Sequence, residues 1–175
     1  MSRIVNQDAL NGIAARIGEV MGRCGQKMAT AESCTGGWIA QTLTTIPGSS
    51  GWFEAGFVTY SNAMKQTVLQ VPADYFNAPD APGAVSEQTV LAMARGALRL
   101  AAVDWAVATS GIAGPGGATP GKPVGLVWIG WATHNTCTAA AFQFKGNREQ
   151  VRYQAVAAAL EGLHARLHKA ATKLQ

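Results

Sequence analysis

The sequence predicts an α/β fold: a single three-layer domain over residues 1–175, with a mixed β-sheet flanked by helices on both faces. Three observations predict it. Short apolar runs alternate with amphipathic stretches of helical period through the first two-thirds of the chain. Two apolar segments rich in β-branched and aromatic residues follow, separated by a short polar turn. The length of 175 residues, at 48% hydrophobic and 14% charged, suits one domain with a sizeable core.

The elements follow in order. Leu10, Ile13, Ala14, Ile17, Val20 and Met21 recur at helical spacing and predict a first helix that ends near Gly22 to Gly25. Residues 27–30 read as a short strand, and residues 36–46 as a helix stopped by Pro47-Gly48, so Ser33 lies between a strand end and a helix start. Residues 53–60 read as a strand. Residues 61–69 read as a short helix capped by Ser61 or Asn62. Residues 77–83 hold two prolines and a glycine and predict a loop. Ser86 caps a helix running to about Leu100, with Val90, Met93, Ala94, Ala97 and Leu98 on its apolar face.

Residues 105–109 form a buried strand, and residues 110–123 a glycine-proline loop. Residues 124–131 and 136–144 are strands, with Asn135 in the turn between them. Asn147 and Gln150 have the spacing of a capping box and open a long Ala-rich helix towards Leu167. No repeat or linker interrupts the chain. Ligands of such sheets gather beyond the carboxyl ends of the strands. The Ser33 loop, the Tyr60 region and the Ser110 loop all fall at such ends.

Composition excludes several classes. The net charge of +4 suits an anionic small molecule or a nucleic acid, weakly in either case. Much of the positive charge lies late in the chain, at Arg148, Arg152, Arg166, Lys169 and Lys173, with no Lys/Arg run and no aromatic interleaving. A dedicated nucleic-acid surface is therefore not expected. Cys24, Cys34 and Cys137 form no CxxC and read as reduced thiols of a cytoplasmic protein. The first residues, Met1 to Asn6, lack the apolar stretch of a signal peptide. No apolar run approaches the roughly 18 residues of a membrane span.

Three segments can carry chemistry. Gly36 and Gly37 let backbone approach a ligand beside Ser33, and amides at the following helix start favour negative charge, an oxyanion or a phosphate. Equally, Ser33 or Thr35 could simply cap that helix. Cys34 is a second candidate nucleophile, or a small packed thiol. A serine needs a base. His134 sits beside a turn, and His164 and His168 lie on the last helix, so no histidine is well placed. Lys65 can serve if burial lowers its pKa, with Tyr60 relaying the proton or holding the serine; otherwise Lys65 is a solvated helix residue and Tyr60 a packed strand end.

The third segment holds Ser110, Gly111, Gly114, Gly116, Gly117 and Gly121. Its backbone can wrap an anion, although it matches neither a G-x-G-x-x-G nor a Walker A pattern. A purely structural loop is the alternative. His164 and His168 are four residues apart but lack the framing residues of a metal site, and no metal is expected.

Together, Ala31-Glu32-Ser33-Cys34-Thr35-Gly36-Gly37, Tyr60-Ser61-Asn62 with Lys65, Gly83-Ala84-Val85-Ser86, Thr109 through Gly117, Lys122-Pro123-Val124-Gly125 and Arg148 to Arg152 resemble the C-terminal domain of the competence/damage-inducible CinA proteins. This is the family of nicotinamide mononucleotide amidohydrolases called PncC. The resemblance runs from about Val5 to Leu167.

It implies hydrolysis of the carboxamide of nicotinamide mononucleotide to nicotinate mononucleotide and ammonia, without cofactor or metal. It implies Ser33 as nucleophile assisted by Tyr60 and Lys65. Its glycine loop implies Ser110, Gly111, Gly114, Gly116, Gly117 and Thr119 near the substrate; Thr35, Gly36 and Gly37 join them from the Ser33 turn, and the Arg148 guanidinium suits the phosphate. A homo-oligomer is expected. The rival readings are a catalytically silent pyridine-nucleotide binder and a DNA-associated competence module.

Overall fold

The computed structural model describes residues 5–172. The N-terminal residues 1–4 and Lys173, both used above, lie outside the described residues. In chain order the elements are α1 (Gln7–Cys24), β1 (Met28–Glu32), α2 (Trp38–Thr44), a 3₁₀ turn (Ser49–Gly51), β2 (Phe53–Val58), α3 (Asn62–Leu69), α4 (Asp74–Asn77), α5 (Glu87–Ala101), β3 (Trp105–Gly111), β4 (Leu126–Ala132), β5 (Cys137–Gln143) and α6 (Arg148–Thr172). The expected α/β architecture is present.

The sheet runs in the order β2-β1-β3-β4-β5. β1 pairs in parallel with β2 and with β3, while β3–β4 and β4–β5 are antiparallel. Strand side chains alternate between faces. Met28, Trp105 and Val107 therefore pack with α1, α2 and α6, around Leu10, Ile17, Ile39, Leu160 and Leu163. Ala29, Ala31, Ala106 and Ala108 point the other way, against Leu69, Val90, Met93 and Ala97 of α3 and α5. Every residue of β1 is buried, as expected for a strand covered on both faces.

The six residues read as the apolar face of α1 are its buried residues. Ser61 and Ser86 cap α3 and α5 by accepting from Met64 and Thr89 amides. Asn147 and Gln150 form a reciprocal box: Gln150 N donates to Asn147 Oδ1 at 3.0 Å, and Asn147 N donates to Gln150 Oε1 at 2.9 Å.

Three differences bear on the site, beside small shifts at other element ends. α4 was not expected, because four residues are too few to show a helical period. Ser110 and Gly111 belong to β3 rather than to the loop, since they pair with Trp128 and Val127 of β4. α2 starts at Trp38 because Gly36 and Gly37 hold φ of 62° and 93°, a left-handed turn that side chains resist. No helix among the described residues is long and apolar enough to cross a membrane.

Candidate active site

Ser33 follows the last residue of β1, the strand between β2 and β3. Its amide donates to the Thr109 carbonyl at 3.0 Å, so it still rides on the β1–β3 ladder. The side chain before it, Glu32, alternates onto the α2 face and is fully buried. Its carboxylate accepts from the amides of Gly37 (3.1 Å), Ile39 (3.0 Å) and Ala40 (2.8 Å), and from the Thr35 hydroxyl at 2.6 Å. A buried carboxylate at a helix N-terminus is stabilised by those donors and by the helix dipole.

Glu32 thus caps α2, and the expectation that Ser33 or Thr35 does so is corrected. Thr35 turns inward, its hydroxyl held between Glu32 and the Thr109 hydroxyl at 2.8 Å, with no exposure to a ligand. The amides of Gly36 and Gly37 are also engaged, on the Ser33 carbonyl and on Glu32. The expectation that they bind an oxyanion or phosphate is corrected for that reason.

Lys65 enters from the other face of the sheet. The Ser61 cap starts α3 directly beyond β2, and this aims the Lys65 stem under the end of β1. Lys65 is 1% exposed and is the largest fully buried side chain among the described residues. Its Nζ lies 3.0 Å from Ser33 Oγ, 2.9 Å from the Thr59 carbonyl and 2.9 Å from the Tyr60 carbonyl. As an ammonium it donates to all three; as a neutral amine it can accept the serine proton. Burial lowers its pKa to about 8, because a buried charge loses hydration.

Cys34 is also buried, and burial pushes its thiol up to about 12, so it holds its proton at neutral pH. Ser33 itself is 8% exposed.

Tyr60 meets Lys65 through its carbonyl. Its phenol hydroxyl accepts from Arg148 Nη2 at 3.0 Å, and the residue is 59% exposed. The side chain is thus exposed and paired with Arg148, while Ser33 and Lys65 meet directly, without the Tyr60 hydroxyl between them. Arg148, the first residue of α6, also donates to the Gly114 carbonyl at 2.8 Å. One guanidinium thus joins α6, Tyr60 and the loop after β3.

Ser110 faces the scaffold, donating to the Ala84 carbonyl at 2.6 Å, so its hydroxyl serves the fold rather than the site. Gly111 is held within the β3–β4 ladder. Thr119 exchanges both backbone hydrogen bonds with Lys122, whose ammonium donates to the Pro82 carbonyl. Gly116, Gly117 and Thr119 are exposed on the loop's rim.

The structure therefore brings together Ser33 with Lys65, and Tyr60 with Arg148 and Gly114. It turns Thr35 and Ser110 away. His164 and His168 have ring centroids 6.3 Å apart. No cluster of three or more metal-binding side chains occurs among the described residues.

Two residues had no assigned role in the sequence reading. Glu32 has no local signal, because a carboxylate five to eight residues before the amides it caps fits no capping rule. Arg152 has one: it stands four residues after Arg148, hence on the same helix face.

A model of the CinA C-terminal domain matches residues 10–167. A nicotinamide-nucleotide amidohydrolase PncC from Pseudomonas putida is 50% identical over 156 residues, covering 89% of this chain and 96% of that protein. The protein of the same name from Escherichia coli (strain K12) is 46% identical over 152 residues, 86% of this chain and 90% of that protein. The crystal structure of a competence/damage inducible protein from Agrobacterium tumefaciens superposes with a TM-score of 0.86 at 40% identity, covering 96% of this chain and 99% of that one.

Proposed function

The chain belongs to the CinA C-terminal domain family, and from that membership we propose that it hydrolyses the carboxamide of nicotinamide mononucleotide, releasing nicotinate mononucleotide and ammonia. The observation that carries the chemistry is the 3.0 Å contact between Lys65 Nζ and Ser33 Oγ. The substrate comes from the two PncC relatives.

Ser33 Oγ attacks the carboxamide carbon while neutral Lys65 takes the hydroxyl proton. The tetrahedral intermediate expels ammonia, which leaves with the proton that Lys65 returns. Water then attacks the acyl ester, again giving its proton to Lys65, and nicotinate mononucleotide departs with Ser33 restored.

The pKa near 8 matters here. At pH 7 it leaves about one lysine in ten neutral, against roughly one in three thousand at an ordinary value. Thr59 and Tyr60 carbonyls fix the amine's direction. With the Gly36 and Gly37 amides engaged, we assign the developing oxyanion to the Gly114, Gly116 and Gly117 amides of the loop after β3. Arg148, exposed and braced on Tyr60 and Gly114, takes the phosphate.

The test is ammonia release from nicotinamide mononucleotide by the purified protein. Ammonia and nicotinate mononucleotide should appear in equal amounts. Thermal stabilisation by the nucleotide without ammonia would replace this reading with a silent binding module.

A further inference from the structure

We propose that Arg152 is a positioning residue for the nucleophile: it grips the carbonyl side of the turn that carries Ser33 and so sets the serine hydroxyl against Lys65. The proposal rests on the reading of Ser33 as nucleophile. Arg152 sits on α6, half-buried, one turn after Arg148. Its Nε donates to the Cys34 carbonyl at 3.0 Å and its Nη2 to the Thr35 carbonyl at 2.9 Å. Its guanidinium lies 5.4 Å from the centroid of the Trp38 ring, the first residue of α2.

The turn fits closely around this group: a Cβ added at Gly36 would stand 3.3 Å from Arg152 Nη2. A planar fork on two successive carbonyls is a task for arginine, since a lysine ammonium cannot reproduce it.

The opposite side of the same segment is held by Glu32, on the amides of Gly37, Ile39 and Ala40. Peptide units from Cys34 to Ala40 are thus strung between an anion at N–H groups and a cation at C=O groups. Hydrogen bonds to charged groups are about twice as strong as neutral ones. Ser33 enters this clamped segment with its own amide pinned on Thr109. Three fixed points therefore decide where Oγ stands.

The two arginines of this helix face divide the work. Arg148 is exposed and reaches the mouth, through Tyr60 and Gly114. Arg152 reaches the turn's backbone. Losing Arg148 should weaken binding, whereas losing Arg152 should slow the chemical step with binding kept.

Steady-state ammonia release by Arg152→Met, Arg152→Lys and Arg148→Met tests this, alongside labelling of Ser33 by a fluorophosphonate. Arg152→Met should lose on the order of 100-fold in kcat, the scale of a misplaced reacting group, with KM nearly unchanged and Ser33 labelling slowed in parallel. Arg152→Lys should fall between it and the parent. Guanidinium ion added to Arg152→Ala should restore part of the rate, and Arg148→Met should raise KM.

A kcat for Arg152→Met within about twofold of the parent, or a change confined to KM, overturns the proposal. If Arg152→Met fails to fold, Arg152→Lys with native circular dichroism and full kcat overturns it equally. A parent protein that labels at Ser33 but releases no ammonia defeats the assigned reaction alone. The labelling difference in Arg152→Met then still decides the positioning.

Discussion

In water a lysine keeps its proton to about pH 10.4. Lys65 sits beneath the sheet's carboxyl edge with two backbone carbonyls and one serine hydroxyl around its amine, and burial brings its pKa to about 8. The base form is the neutral amine, so the sign is set: below pH 8 the reactive fraction falls tenfold for each pH unit. For nicotinamide mononucleotide, kcat/KM should rise with unit slope up to about pH 8 and level off above it. Lys65→Met should remove this limb along with at least 100-fold of the rate, the usual scale of a lost general base. A flat profile between pH 6 and about 8 in the parent contradicts the assignment. At this scale the sequence was readable for the meeting of Ser33 with Lys65, where a hydroxyl and an amine fall at neighbouring strand ends. It was unreadable for Thr35 and Ser110, because a hydroxyl beside a glycine turn looks the same whether it faces a ligand or a buried neighbour.

Elements impose their own demands on the site. α2 is only seven residues long and gains little from propagation alone. Its N-terminal amides close on Glu32, a carboxylate donated by the preceding strand. Glu32→Gln keeps the shape but replaces one oxygen by an amide group that faces donors, and it removes the charge. It should destabilise the protein by about 2–3 kcal/mol, read as a shift of the urea midpoint at constant slope. An unchanged midpoint would show that α2 does not depend on this cap. Helices with a full amphipathic period, α1 and α5, were readable from their spacing, and Ser61, Ser86 and Asn147 as caps. α4 was not, at four residues, nor was the end of β3, where Ser110 and Gly111 stay in the ladder because β4 offers them partners. Pairing partners distant in sequence leave no local trace.

The whole molecule supplies what no element holds alone. Ser33 stands beyond β1, an interior strand of the sheet, Lys65 arrives on α3 from one face, and Arg148 and Arg152 arrive on α6 from the other. The alternation of strands and helices foretold the layered architecture and that the three loops would meet at one sheet edge. It did not foretell which side chains would point inward there, because that depends on register between β1 and β3: Glu32 pairs with Thr109, and both face α2.

In the proposed mechanism a serine activated by a buried lysine breaks the amide, with the adjacent thiol protonated and idle. This is tested most directly by ammonia release from nicotinamide mononucleotide at pH 8 by Ser33→Ala and by Cys34→Ala. Ser33→Ala should lose at least 1000-fold, the order seen on removing a nucleophile, and Cys34→Ala should keep near-parental turnover. Turnover retained by Ser33→Ala and abolished by Cys34→Ala would contradict it.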